Sequence, residues 1–283
     1  MSDLDALKSC AAETVDRLAD ALWALALQIH ANPELCFKEE KAAGWLTAFL
    51  EAGGCRVERG IGGLPTAFRA EIAGTGPGAT VAIMAEYDAL PQIGHACGHN
   101  VIATAGAGAG AALAAVALAA GGGNRRLPFP ARVVVIGTPA EEGGAGKVRL
   151  MEAGVFREVD VAMMIHPRCG TRLWRPTLGL TKAKVEYFGK AAHASSWPWR
   201  GVNALNAVIG LFTALDAMRQ QLRPDARVHG IISAGGQQPN IIPEYTAAEF
   251  YLRSLDRGTS RSSAGASRRR PRGPPPPRGV GSR

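Results

Sequence analysis

An α/β fold built on a mostly parallel sheet is predicted by three stretches that each read as a buried strand ending in a polar cluster. Residues 80–88 lead to His95, Cys97 and His99; residues 132–139 lead to Glu141 and Glu142; residues 159–165 lead to His166. Apolar runs of this kind, separated by helical patterns, suit strands covered by helices on both faces. In an open sheet the loops after parallel strands converge on one crevice, so donors far apart in sequence can meet there.

The elements follow in order. Leu4, Leu7, Val15, Leu18, Leu22 and Leu25 form a helical stripe that predicts a helix over 4–30, which Asn32-Pro33 breaks, and a second helix is expected over 38–53. Short strands around Gly-rich turns fit 56–72, and helices at 101–120 and 147–152 separate the strands of the core. The stretch 101–123 has no charge, yet Ala and Gly dominate it, so a small-residue helix packed close to a sheet is expected rather than a membrane span. Its Gly106-Ala-Gly-Ala-Gly110 run lacks the strand-then-turn setting of a dinucleotide site.

Near Thr177 the pattern changes. Ala183, Val185 and Tyr187 alternate with Lys182, Lys184 and Glu186, which marks a half-buried strand of another sheet. A helix over 203–221 and strands at 227–233 and 246–254 complete β-α-β-β, most of an α+β ferredoxin-like unit. Trp197 and Trp199, beside Pro198, fit either a substrate mouth or a surface. The domains expected are 1–178, 179–256 and an Arg-, Pro- and Gly-rich tail over 257–283. That tail has too little apolar content to fold, and is read either as a disordered extension or as sequence altered from about Ser254 onward.

The net charge of +8 suggests nucleic acid only until it is located. Eight Arg and no acid lie in 257–283, so the remainder is neutral, and the tail lacks the interleaved aromatics of a nucleic-acid binder. Five scattered Cys (10, 36, 55, 97 and 169) and an amino terminus without basic and apolar leader regions point to a reducing, cytoplasmic setting.

The chemistry lies in the polar clusters. Cys97 and His99 are two apart in the Gly-bracketed turn Gly94-His95-Ala96-Cys97-Gly98-His99-Asn100, where a thiolate and an imidazole can face one ion. His95 competes as a ligand and ranks below His99, and Asn100 is expected to cap the following helix. Glu141 and Glu142 are adjacent, so an extended segment would point them to opposite sides, one to hold a metal and the other to move a proton. Asp88 is placed to hydrogen-bond the free ring nitrogen of a metal-bound His, with a local turn cap as its plainer role.

Together the motifs Ala85-Glu-Tyr-Asp-Ala-Leu-Pro-Gln-Ile-Gly-His-Ala-Cys-Gly-His-Asn100, Gly137-Thr-Pro-Ala-Glu-Glu-Gly-Gly-Ala-Gly-Lys147 and Met164-Ile-His-Pro167 resemble the dinuclear metallopeptidase family of aminoacylase, carnosinase, carboxypeptidase G and N-acyl-amino-acid amidohydrolases. His30-Ala-Asn-Pro-Glu-Leu-Cys-Phe37 is similar to the family's amino-terminal motif, and Gly189-Lys-Ala-Ala-His-Ala-Ser195 to the start of its lid, or dimerisation, domain. The likeness covers about residues 4–255 and is strongest to the branch that acts on dipeptides with a basic carboxyl-terminal residue, of the β-alanyl-lysine or Xaa-Arg kind.

The resemblance implies a zinc-exopeptidase-like catalytic domain with an inserted lid, a homodimer formed through that lid, and two divalent ions, zinc or alternatively manganese. It makes Cys97, His99, Glu142 and His166 metal ligands, Glu141 the general base, and His193 a lid group reaching the substrate carbonyl across the dimer. Asn240 and Arg253 fall where relatives hold substrate, Arg253 on its carboxylate. Family members supply a last ligand His further on, and no counterpart follows His229 here. The rival expectation is therefore a catalytically inactive form that keeps only the lid surface.

Overall fold

The computed structural model describes residues 3–120, 125–173 and 178–255. The chain divides into two compact units, Met1–Thr171 and Arg172–Arg283, a few residues before the boundary expected at 178. The tail expected over 257–283 lies outside the described residues.

In the first unit the order is α1 (Asp3–Arg17), α2 (Ala19–Ala31), α3 (Glu40–Ala52), β1 (Arg56–Arg59), β2 (Phe68–Ala73), β3 (Ala79–Ala85), α4 (His99–Ala120), β4 (Ala131–Gly137), α5 (Gly146–Glu152) and β5 (Val161–Met163). The single helix expected over 4–30 is two helices that meet at Leu18, which sits at φ −90°, ψ −1°. The sheet order is β1-β2-β4-β3-β5. β4 with β3 and β3 with β5 are parallel, while β2 is antiparallel to both its neighbours. Four of the five strands thus point one way and β2 alone is reversed, making the sheet mixed α/β.

The strand β4 reads Ala-Arg-Val-Val-Val-Ile-Gly because both its faces are covered. Val133 and Val135 join Leu25, Ile29, Leu46, Leu50 and the alanines of α4 in one core. Val134 and Ile136 face the other way, into a second core with Met84 and with Leu150 of α5.

The composition of α4 would let it cross a membrane, but two thirds of its apolar window is buried inside the unit. Its glycines explain how. A Cβ on Gly110 would meet Val135 Cγ2 at 2.7 Å and Leu50 Cδ2 at 2.9 Å, and one on Gly106 would meet Ala85 Cβ at 3.2 Å. The run of small residues is a packing surface for the sheet and α3, not a phosphate loop. Asn100 lies inside α4 rather than capping it, because the helix already starts at His99; its side-chain amide donates to Ala26 O of α2 at 3.2 Å.

The second unit holds β6 (Gly179–Phe188), α6 (Ala204–Met218), β7 (Arg227–Ala234) and β8 (Tyr245–Ser254). The three strands form an antiparallel sheet in the order β6-β8-β7. Along β6, Ala183, Val185 and Tyr187 turn inward against Val208, Phe250 and Leu252, as their alternation predicts. Asn203 caps α6, its Oδ1 accepting from the Leu205 amide at 2.8 Å.

Candidate metal centre

The register of the parallel strands brings the predicted clusters to one edge. Ala85 pairs with Gly137 and Ile83 with Met163, so the segments leaving β3, β4 and β5 emerge side by side. The Thr138 amide donates to Ala85 O at 2.8 Å, extending the ladder into the loops.

His99, the first residue of α4, is the centre of the arrangement and is only 1% exposed. Its Nδ1 lies 2.9 Å from Asp88 Oδ1. An ionised Asp88 is an acceptor, so the proton sits on Nδ1 and the Nε2 lone pair points away. That lone pair faces Glu86 Oε2 at 3.5 Å, Glu142 Oε1 at 3.7 Å and Glu141 Oε2 at 3.9 Å. Neither His99 Nε2 nor Glu142 Oε1 has a hydrogen-bond partner among the described residues, although both atoms are buried. A buried lone pair opposite carboxylates is repulsive unless a proton or a metal ion lies between them.

Cys97 and His166 complete the ring. Cys97 Sγ is 3.8 Å from His166 Nε2, while His166 Nδ1 lies 3.1 Å from Pro167 O, the arrangement of a donor that leaves Nε2 free to ligate. The rings of His99 and His166 stand perpendicular, with centroids 6.3 Å apart. One donor atom from each of Cys97, His99 and His166, and likewise from His99, Glu141 and Glu142, lie within 4.8 Å of one another. A thiolate, two imidazoles and carboxylates in this span fit divalent zinc-type coordination.

The electrostatics agree with the geometry. Burial, then the hydrogen bond and charge of Glu142 and the charges of Glu141 and Glu86, push the Cys97 thiol up to about 12. Burial, Glu86 and Glu142 also raise Glu141, against the opposing pull of Lys147 and His99. Burial would lower the His99 pKa, but the bond to Asp88 and the charges of Asp88, Glu86 and Glu142 outweigh it and raise the imidazole. Too many acids crowd too small a space, which a bound cation corrects.

Glu141 and Glu142 depart from the sequence expectation. They sit in a turn that follows Ala140 at φ 58°, not in an extended segment, so both carboxylates reach toward His99 instead of facing opposite sides. Exposure separates them: the Glu142 side chain is 19% exposed and that of Glu141 is 45% exposed. Asp88 joins the parts, since its Oδ2 accepts from the Glu142 amide at 2.9 Å.

Sequence reasoning missed Glu86 and Lys147, which form a salt bridge beside His99. The signal was present, because Glu86 and Asp88 are two apart in the extended continuation of β3 and so share a side. His95 is buried next to His30, ring centroids 6.3 Å apart, and belongs to neither ligand group.

The remaining candidates lie in the second unit. His193 Nδ1 accepts from the amides of Ser195 and Ser196 at 3.3 and 3.2 Å, which leaves its Nε2 to carry the proton outward. Asn240 is adjacent: the Ala194 amide donates to Asn240 O at 3.0 Å, and His193 bridges Ile241. Arg253 is elsewhere, near the far end of β8, paired with Leu180 and Arg227. Eight residues of strand separate it from Tyr245, about 27 Å at 3.4 Å per residue, so one copy of this unit cannot close Arg253 and the His193–Asn240 pair on one small molecule. Trp197 and Trp199 are exposed, with the Arg200 guanidinium 5.2 Å over the Trp197 ring. His229 lies in β7 against Tyr251.

Residues 82–210 match Peptidase family M20/M25/M40, and residues 177–263 match its peptidase dimerisation domain. The chain belongs to peptidase family M20. The M20 relatives include Xaa-Arg dipeptidase of Mus musculus, 45% identical over 262 residues, covering 89% of this chain and 59% of that protein. Thermostable carboxypeptidase 2 of Saccharolobus solfataricus is 31% identical over 273 residues, covering 86% of this chain and 65% of its own length. The chain thus spans about 60% of the mouse and human dipeptidases it matches. Among solved structures, a proposed aminohydrolase from methicillin resistant Staphylococcus aureus superposes with TM-score 0.69 at 26% identity, covering 92% of this chain and 71% of that one. The Bacillus subtilis YXEP protein, a dinuclear metal binding peptidase from the M20 family, has TM-score 0.60 at 22% identity, with 90% and 69% covered, and supports the fold.

Proposed function

We propose that this M20 chain carries the metal centre and lid of a dipeptidase that hydrolyses small dipeptides with a basic carboxyl-terminal residue. What carries the reading is the buried, unpartnered Nε2 of His99 facing Glu86, Glu141, Glu142 and the Cys97–His166 pair. The substrate class follows the 45% identity to a Xaa-Arg dipeptidase. Cys97, His99, Glu142 and His166 would hold two divalent ions, zinc by the softness of a thiolate beside imidazoles.

Bound there, such ions supply the Lewis acidity that makes water a nucleophile at neutral pH. Glu141, the more exposed carboxylate, takes the proton of the attacking water and returns it to the leaving amine. Its raised affinity for protons suits both halves of that task. Asp88 keeps the His99 proton on Nδ1, and Lys147 holds Glu86. His193 donates from Nε2 to the developing oxyanion with Asn240 beside it, and Arg253 binds the substrate carboxylate. The separation along β8 supports a homodimer in which these groups come from different copies. Five unpaired cysteines favour the cytoplasm.

The test is metal analysis of the purified chain and of His99→Ala, with hydrolysis of β-alanyl-lysine against an acidic counterpart. Equal metal in both proteins, or no preference for the basic dipeptide, counts against the reading.

A further inference from the structure

The turn that carries Glu141 and Glu142 is held in a conformation an alanine does not choose. Ala140 lies at φ 58°, a left-handed geometry that costs a residue with a Cβ about 1–2 kcal/mol. Its buried amide donates to Glu39 Oε1 at 2.9 Å. The same oxygen accepts from the Phe37 amide at 2.9 Å, and Phe37 is itself at φ 62°. Glu39 Oε2 accepts from the Thr66 hydroxyl at 3.0 Å. One fully buried carboxylate therefore satisfies three donors from three segments: the loop before α3, the loop before β2 and the turn after β4.

The packing around it is equally tight. A Cβ on Gly144 would collide with the Phe37 ring and with Ala140 Cβ, and the Phe37 ring lies 4.4 Å from the Arg149 guanidinium of α5. Since Asp88 holds the Glu142 amide from the other side, the backbone flanking Glu141 is pinned at both ends by buried carboxylates.

We propose that Glu39 is a positioning residue of the metal centre, which fixes the left-handed turn at Ala140 and so aims Glu141 and Glu142 at His99. This rests on the reading that those two glutamates serve the metal. Glu39 belongs to neither group of potential ligands, so it acts only through the turn. A glutamine keeps that function: its Oε1 accepts both amides and its NH2 donates to the Thr66 hydroxyl, which can rotate to accept. Alanine strands the buried Ala140 amide and the part-buried Phe37 amide, and aspartate, one methylene shorter, cannot reach all three donors.

The experiment compares wild type with Glu39→Gln, Glu39→Ala and Glu39→Asp for zinc affinity by chelator competition, for the Co2+ absorption spectrum, and for deuterium exchange over residues 138–142. Glu39→Ala and Glu39→Asp should weaken zinc binding about 10–100-fold, the scale of a lost supporting contact. They should also alter the Co2+ bands and speed exchange in the turn, while Glu39→Gln stays near wild type. If Glu39→Ala does not fold, Glu39→Asp is decisive. A folded Ala or Asp variant with wild-type zinc affinity and spectrum overturns the proposal, even if it melts lower, and so does a Gln variant that loses as much affinity as Ala. Glu142→Gln is the control: undiminished zinc binding there sinks the ligand assignment itself, whichever way Glu39 behaves.

Discussion

Replacing Asp88 by Asn changes one atom and forces a choice on the metal centre. Asp88 Oδ1 faces His99 Nδ1 at 2.9 Å and its Oδ2 accepts from the Glu142 amide at 2.9 Å, with the His99 and Asp88 side chains 1% and 0% exposed. An asparagine has one acceptor for the His99 and Glu142 donors, and the Cys36 thiol, 3.7 Å from Asp88 Oδ2, is a third claimant. If its oxygen keeps His99, its NH2 confronts the Glu142 amide, and a buried donor left unsatisfied costs about 1–3 kcal/mol. If its oxygen keeps Glu142, the NH2 confronts His99 Nδ1, the imidazole proton moves to Nε2, and the lone pair needed for a metal is gone.

Either way zinc affinity should fall about 10–100-fold, which is about 1.4–2.7 kcal/mol. The metal-free protein adds a pH signature. His99 is raised in the folded state, so its contribution is present below the ordinary imidazole pKa of about 6.5 and is lost as pH rises through its folded value. Burial would raise Asp88, but its hydrogen bonds and the His99 charge outweigh that and lower it; its contribution is present above about 3.9 and is lost as pH falls through its folded value. The pair therefore stabilises most between those limits, and the melting-temperature gap between wild type and Asp88→Asn in chelator should be largest near pH 5 and shrink toward pH 9. Chelator competition gives the affinity and thermal melts give the gap. Wild-type zinc affinity in Asp88→Asn would refute the tautomer argument.

On the proposed function, Glu141→Gln in an active form of the enzyme should abolish hydrolysis yet leave bound metal near normal, as turnover and elemental analysis would register; a parallel loss of metal would mean that the roles of Glu141 and Glu142 are shared or reversed. Cys97→Ala should lower metal occupancy first. In wild type, zinc affinity should climb with pH, because the thiol pushed up to about 12 and the raised His99 must both release protons to bind it, and a flat affinity between pH 6 and 8 would contradict that. In Gly146→Ala the new Cβ collides with the Pro139 carbonyl at the root of the glutamate turn, so stability should drop by about 1–3 kcal/mol and zinc affinity with it; unchanged zinc binding in a destabilised variant would show the turn to be insulated from α5.

Much of this protein is legible in its residues alone. Alternation marks β6, continuous apolar runs mark β3 and β4, and the Cys97-Gly98-His99 spacing marks a turn that presents two potential donors at one sheet edge, because periodicity and short-range spacing are local properties. The small-residue run in α4 likewise reads correctly as packing, since glycine and alanine are the residues that let a helix approach a sheet. What tertiary structure alone decided are the contacts that reach across the chain. Asp88 to His99 is legible at eleven residues apart, but Glu39 to Ala140 spans 101 and Glu86 to Lys147 spans 61, and nothing local in either partner announces the other. Glu141 and Glu142 were expected to diverge because an extended chain makes neighbours diverge. A left-handed alanine, held by a distant buried carboxylate, turns them both toward His99, a geometry set by a long-range hydrogen bond that overrides the local preference of the backbone.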